Sequence, residues 1–176
     1  MRIGLDIDDV LADFWHTYLN RFGTPKADKE ITKNVQQKLK TDRNFWVNLP
    51  VINRPDFIPE LYCTKRVNPK AHTRTWLENN GFPIRPIYQV IYQKGNKADF
   101  IKGRVDVFID DSVSNMIKMN LSGVPCLLMD AETNQKWGPV GRIFSLKEDE
   151  ILDTYNLFMK TIYPHFKEYV VSRSTT

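Results

Sequence analysis

The sequence predicts an α/β protein: a mostly parallel sheet flanked by helices, with a small helical cap inserted after the first strand. Three observations lead there. Short apolar runs of strand length alternate with segments of helical periodicity, which implies parallel strands joined by right-handed crossovers. Two of those runs end abruptly in acids, Asp6-Ile7-Asp8-Asp9 and Asp110-Asp111. The stretch between the first and second strands, from about Phe14 to Phe57, is too long for a single crossover helix and reads as an insertion beside the C-terminal edge of the sheet.

In chain order, Arg2 to Ile7 reads as the first strand. Val10 to Phe22 reads as a helix, with Leu11, Phe14, Trp15, Tyr18, Leu19 and Phe22 at helical spacing, stopped by Gly23-Thr24-Pro25. Lys26 to Lys40 carries Ile31, Val35 and Leu39 at four-residue steps, a narrow-striped surface helix. Asp42 is placed to cap a short helix containing Phe45 and Trp46, ended by Pro50. Leu61 to Thr64 is a second strand. Asn68-Pro69 then starts a helix as cap and first position, and Gly81 stops it. Pro86 to Tyr92 is a third strand, Asn96 to Lys102 a short helix or turn, and Val105 to Ile109 a fourth strand. Ser112 to Leu121 is a helix followed by Gly123, and Pro125 to Met129 a fifth strand. Ala131 to Gly141 reads as a polar loop around Trp137. Leu146 to about Val171 reads as a long amphipathic helix with Leu152, Tyr155, Phe158, Met159 and Ile162 on its apolar face, ended or kinked by Pro164. Residues 1–13 and 58–176 are expected to form the core and 14–57 the cap; no internal repeat is present.

A chain of 176 residues with 41% hydrophobic and 26% charged residues suits one soluble domain with a sizeable core. The formal charge of +4 comes from Lys and Arg residues scattered along the chain. That scatter weighs against nucleic acid as a partner and fits a small anionic substrate. Cys63 and Cys126 sit in apolar runs and read as buried free thiols. No stretch approaches the ~20 apolar residues of a membrane span, and Asp6, Asp8 and Asp9 interrupt any N-terminal signal segment, so the cytoplasm is the expected compartment. His16, His72 and His165 lack metal-ligand spacing. The sequence leaves a homodimer open.

The chemistry concentrates at one edge of the expected sheet. Acids at the end of a buried strand are costly unless paired or bound to a cation, and the C-terminal mouth of a parallel sheet is where open α/β folds bind ligands. Asp6, Asp8, Thr64, Lys97, Asp110 and Asp111 all fall at or after strand ends on that side. Singly, each has a plainer reading. Asp8-Asp9 and Asp110-Asp111 suit helix N-termini, Thr64 is a strand-end hydroxyl, and Lys97 is one of several lysines near Lys94 and Lys102. Jointly, two acid clusters at two parallel strand ends would repel each other, and a divalent cation removes that repulsion.

The ordered set resembles the haloacid dehalogenase superfamily of phosphatases, over roughly residues 1 to 130. Asp6-Ile7-Asp8-Asp9-Val10 is similar to its first motif, Thr64 to its second, Lys97 to its third and Val107-Phe108-Ile109-Asp110-Asp111 to its fourth. The resemblance implies a Rossmannoid fold and a Mg2+-dependent phosphomonoesterase. It makes Asp6 the nucleophile that forms an aspartyl-phosphate and Asp8 the acid and base, whose main-chain carbonyl also meets the metal. Thr64 and Lys97 bind phosphate, and Asp111 is the direct metal ligand with Asp110 behind it. One carboxylate must stay ionised on the metal while its neighbour holds a proton.

A narrower resemblance lies in Asp6 to Phe14, which is similar to the opening of the 5'(3')-deoxyribonucleotidase family. It implies a deoxynucleoside monophosphate as substrate, with Phe14, Phe45 and Trp46 enclosing the base. The chain departs from that pattern in three places. Asp9 stands where the family has glycine. Lys65-Arg66 follows Thr64 in place of serine and proline, and these bases are expected either to add phosphate contacts, Lys65 first, or to change the choice of substrate. Lys97 lies further from Asp110 than the family spacing. The rival readings are a phosphatase for a polynucleotide 3'-phosphate or a sugar phosphate, and a non-catalytic binding module with the same fold.

Overall fold

A computed structural model of the chain describes residues 1–90 and 95–174. Six strands form one all-parallel sheet: β1 (Ile3–Leu5), β2 (Leu61–Thr64), β3 (Ile87–Gln89), β4 (Val107–Asp110), β5 (Cys126–Met129) and β6 (Arg142–Ile143), in the order β3-β2-β1-β4-β5-β6. This is the α/β architecture that the alternating pattern predicts. β1, β2, β4 and β5 are buried along their whole length, so they read as continuous apolar runs rather than alternating ones. Gly4 lets β1 sit close under its neighbour: a Cβ there would lie 2.8 Å from the Phe108 ring.

The order reverses at β1, whose neighbours are β2 and β4, and this is the switch point where such sheets open a crevice. Leu5 stands opposite Tyr62 on one side and Ile109 on the other. Asp6 and Asp110 therefore emerge at the same level, and the Asp6 N–H donates to Ile109 O at 2.9 Å. α1 (Phe14–Phe22), α2 (Asp28–Asn34) and α3 (Arg43–Val47) belong to the insertion; the crossovers and flanks are α4 (Lys70–Asn79), α5 (Ala98–Ile101) and α6 (Val113–Leu121), with α7 (Glu148–Thr161) and α8 (Phe166–Ser174) after the last strand.

The insertion contains α1 (Phe14–Phe22), α2 (Asp28–Asn34), a π-helical turn (Val35–Leu39) and α3 (Arg43–Val47). Its neck is zipped shut: the Asp13 N–H donates to Pro50 O at 2.8 Å and the Ile52 N–H to Leu11 O at 2.9 Å. Tyr18, Val35, Leu39, Phe45 and Trp46 join the same buried cluster as the sheet residues. The Trp76 indole N–H, from α4, donates to Leu49 O at 2.8 Å. The insertion thus shares the core of the sheet.

Several boundaries differ from expectation for identifiable reasons. The first helix starts at Phe14, because the Leu11 and Ala12 N–H groups both donate to Ile7 O in a tight turn and Asp13 caps the helix through the His16 N–H. The helix expected over 26–40 is divided into α2 and the π turn, and at the junction the Asn34 amide donates to the Tyr18 hydroxyl at 2.9 Å. Pro69, not Asn68, precedes α4; the Asn68 amide donates instead to Thr73 Oγ1 and Pro69 O. The end of the expected third strand, at Tyr92, and the lysine at position 94 lie outside the described residues.

The expected polar loop after β5 holds a 3-10 helix (Glu132–Trp137) and then the short β6, which no periodicity announces. Arg142 anchors β6 by donating to Asp130 and Asn134, both at 2.6 Å. Pro164 sits in a 3-10 turn (Tyr163–His165) that divides α7 from α8. Both cysteines are free and buried, and among the described residues no helix is long and apolar enough to cross a membrane.

Candidate active site

Asp6 leaves the end of β1 almost fully buried. One carboxylate oxygen accepts the Ile7 N–H at 2.7 Å and the other lies 2.5 Å from the Lys97 ammonium. Lys97, at the start of α5, is fully buried and also reaches Asp110 at 2.7 Å. Asp110 further accepts the Ser112 N–H at 2.9 Å and the Asn115 amide at 3.1 and 3.2 Å. One lysine thus serves two carboxylates at adjacent strand ends, and Asp111 stands beside them. Asp6, Asp110 and Asp111 each offer an oxygen within 4.8 Å of the others.

The electrostatics follow from that crowding. Burial raises the Asp6 carboxyl to about 7; Lys97 opposes the rise, while Asp110 and Asp8 add to it. Burial, with Asp110, Asp9 and Asp6, pushes Asp111 well above the ordinary carboxylate range. Burial alone would lower the pKa of Lys97, but Asp110 and Asp6 outweigh it and keep the ammonium charged. The cluster holds more carboxylate than its one buried cation balances. Clustered hard oxygen donors with surplus negative charge are the donor set that suits a hard divalent cation.

Asp8 turns the other way, toward β2. Arg66 donates to it from Nε at 3.0 and 3.1 Å and from Nη2 at 2.8 Å, and Thr64 Oγ1 lies 3.5 Å from it. The guanidinium is fully buried and lies 5.1 Å from the Trp46 ring centroid and 5.7 Å from that of Trp76. A planar, weakly hydrated cation suits such a slot.

Asp9 takes a left-handed backbone conformation with φ 57°, the one described residue other than glycine to do so. Its carboxylate accepts the Trp15 N–H at 2.8 Å, and burial raises it to about 7. A glycine would fit this φ at no cost. Aspartate tolerates it better than most residues and here also satisfies an N-terminal donor of α1.

These groups line a cavity of about 520 Å³ at the mouth of the switch point. Its floor holds Asp6, Asp8, Asp9, Thr64 and Asp111; a second wall carries Lys65, Ser112, Ser114, Asn115 and Lys118. The insertion closes the third side with Phe14, Ile31, Thr32, Val35 and Trp46. Seven of the residues singled out in the sequence therefore meet in this cavity: Asp6, Asp8, Thr64, Lys65, Asp111, Phe14 and Trp46. Lys97 and Asp110 stand behind Asp6 rather than on the cavity surface.

Phe45 corrects the expectation of three aromatics around a ligand. It is not on the cavity wall; it is buried and packs edge-on against Phe14, at 81° and 5.9 Å, and against Trp46, at 83° and 5.2 Å. Trp137 packs edge-on against Tyr169 of α8.

Ser112, Asn115 and Lys118 also line the cavity, outside the residues that the sequence predicts for it. Their signal is a three-residue step along the helix that follows the second acid pair, which puts them on one face. Nothing in the sequence pairs Arg66 with Asp8, which lies 58 positions away in the chain.

Scans against protein-family models, curated proteins and solved structures each return no match for this chain. Its reading therefore rests on its own residues.

Proposed function

We propose that the protein is a Mg2+-dependent phosphomonoesterase of the haloacid dehalogenase type, acting through an aspartyl-phosphate on Asp6, with a deoxynucleoside monophosphate as substrate. The observation that carries this reading is the pairing of both Asp6 and Asp110 with Lys97 at the switch point, with Asp111 beside them in no ion pair among the described residues. Asp6 and Asp111 would hold the Mg2+ together with the Asp8 main-chain carbonyl, Asp110 supporting them from behind. When bound, the ion screens the carboxylates from the phosphoryl group and orients it.

The chain's own residues supply the remainder. The Asp6 carboxylate attacks phosphorus, the bond from phosphorus to the leaving oxygen breaks, and Asp8, which must first leave Arg66 and take up a proton as the substrate enters, gives that oxygen its proton. Water then attacks the aspartyl-phosphate, Asp8 takes its proton, and Asp6 leaves as the free carboxylate. Thr64 and Lys65 bind the phosphoryl oxygens, and Lys97 holds Asp6 in place while offsetting its charge. A cavity of about 520 Å³ suits a mononucleotide, within the roughly 300–1,000 Å³ of small-molecule sites. Phe14 and Trp46 offer aromatic faces to a base.

The test is a phosphatase screen over nucleoside monophosphates, sugar phosphates and 3'-phosphorylated oligonucleotides, with and without Mg2+. Mg2+-dependent release of phosphate from mononucleotides is expected, and Asp6→Asn should abolish it. Full activity in that variant would sink the mechanism. Turnover of sugar phosphates but not mononucleotides would overturn the substrate and leave the chemistry standing.

A further inference from the structure

We infer that the cavity holds a second anion subsite, built from Lys118 and Ser114 on α6, and that the preferred substrate is a small molecule with two separate phosphate groups, one cleaved and one held. This rests on the phosphatase reading above and changes its preferred substrate from a nucleotide with one phosphate to one that carries a second.

The argument starts from the charges of the second wall. Among the described residues Lys97, behind the cavity floor, is ion-paired with Asp6 and Asp110, whereas Lys65 and Lys118 line the cavity itself. Lys65 is fixed by a 2.7 Å bond from its ammonium to the Asn115 side-chain oxygen, and Asn115 in turn donates to Asp110. Neither Lys65 nor Lys118 forms an ion pair among the described residues, and α6 contains no acidic residue. Burial and the ammonium groups of Lys97 and Lys118 together lower the Lys65 pKa. A wall of lysines that repel each other, facing a cavity, is what an anionic ligand stabilises.

A single phosphate does not use that wall in full. The cleaved group must sit against Asp6 and Thr64, where Lys65, next in the chain, already reaches it. Lys118 stands three positions after Asn115, the partner of Lys65, and so roughly 4.5 Å further along the axis of α6. Ser114 and Lys118 are four apart, hence on one stripe of the helix, and both are exposed on the cavity wall. A hydroxyl and an ammonium on one stripe recognise a phosphate by charge-assisted hydrogen bonds. The insertion wall of Ile31, Val35 and Trp46 faces them and bounds the space to a small molecule.

The experiment compares kcat/KM for thymidine 3',5'-bisphosphate with that for thymidine 5'-monophosphate and 3'-monophosphate, in wild type, Lys118→Gln and Lys118→Arg. Thymidine bisphosphate should be preferred by about tenfold or more, the scale of one charge-assisted contact. Lys118→Gln should collapse that preference mainly through KM, and Lys118→Arg should restore it. Calorimetric binding of the bisphosphate to wild type and Lys118→Gln reads the subsite even if nothing is turned over. Mg2+-dependent monophosphate turnover with no preference for the bisphosphate, and equal binding by wild type and Lys118→Gln, overturns the subsite while the phosphatase reading stands. A stronger preference for a 3'-phosphorylated oligonucleotide than for the bisphosphate overturns the small-molecule substrate. Binding that depends on Lys118, in a protein that turns over no phosphate ester, supports the subsite and rejects the phosphatase reading.

Discussion

The sheet side and the insertion side of the cavity are built by different means. On the sheet side most polar groups are tied: Lys97 to Asp6 and Asp110, Asn115 to Asp110, Lys65 to Asn115, Arg66 to Asp8. Strand register sets their positions, since Leu5 faces both Tyr62 and Ile109. On the insertion side the groups are aromatic or aliphatic and are placed by packing: Phe14 stacks on Trp46 at 5.8 Å, and Phe45 braces both edge-on. Register is all-or-none, whereas packing yields by degrees. Under the proposed function, the phosphate groups meet the side set by register, and the insertion side supplies the aromatic faces for a base. Arg66 joins them, paired with Asp8 and lying against Trp46.

The largest effect that breaks this contrast is Lys97→Met. The substitution keeps the volume and removes the cation, leaving Asp6 and Asp110 buried side by side. Breaking such a buried pair costs about 3–5 kcal/mol. Urea unfolding at pH 7 should show the midpoint falling accordingly, with turnover lost as well. At pH 5 the loss should shrink, because Asp6, raised to about 7, is then protonated. A midpoint within error of wild type at pH 7 would mean that Lys97 is not the counter-ion holding the sheet side together.

Next in size is the dependence of stability on pH without added divalent cation. Asp6 titrates near 3.8 when unfolded and at about 7 when folded, and Asp111 is raised in the same direction. Both groups bind more protons in the folded state, so their contribution is fully present below the unfolded pKa and is lost as pH rises through the folded value. Stability should therefore fall by a few kcal/mol, in order of magnitude, between about pH 4 and pH 7. Mg2+ should restore it at the upper end, because a ligand of the folded state stabilises that state. Asp6→Asn should flatten the slope. A wild-type stability that rises steadily from pH 4 to pH 8 in EDTA would contradict the carboxylate crowding.

Legibility in the sequence divides along the same line. The sheet side is readable because an apolar run that stops in acids is physically conspicuous, and parallel strands bring their C-terminal ends to one edge. Asp6, Thr64, Lys97, Asp110 and Asp111 are all found there. What is not readable is which residues meet across the chain. Arg66 reads in the sequence as a further phosphate contact beside Lys65, and it is fully buried on Asp8, near the Trp46 and Trp76 rings. Lys118 and Asn115 look like the solvated face of a helix and stand on the cavity wall. The start of α1 is misread because Val10 and Leu11 continue the helical spacing, although both are buried in a turn. β6 has two residues, too few for any period.

The smallest effect separates two neighbouring aromatics of the insertion. Phe14 borders the cavity and Phe45 does not, although the rings are 5.9 Å apart. Phe45→Leu should lower stability by about 1 kcal/mol, the cost of an imperfect hydrophobic exchange in a packed cluster, with a small change in KM. Phe14→Leu should do the reverse. It keeps an apolar group at a half-buried position but removes the ring face, and stacking on a base is worth about 1–3 kcal/mol. The KM for a mononucleotide should rise by about fivefold or more, while that for p-nitrophenyl phosphate moves less. Melting curves and KM values measured on both variants with both substrates give a two-by-two test. If Phe45→Leu raises the nucleotide KM as much as Phe14→Leu does, the two rings act as one unit and the insertion side is less adaptable than its packing suggests. If neither variant changes it, the base is recognised elsewhere on the wall, with Trp46 the remaining aromatic there.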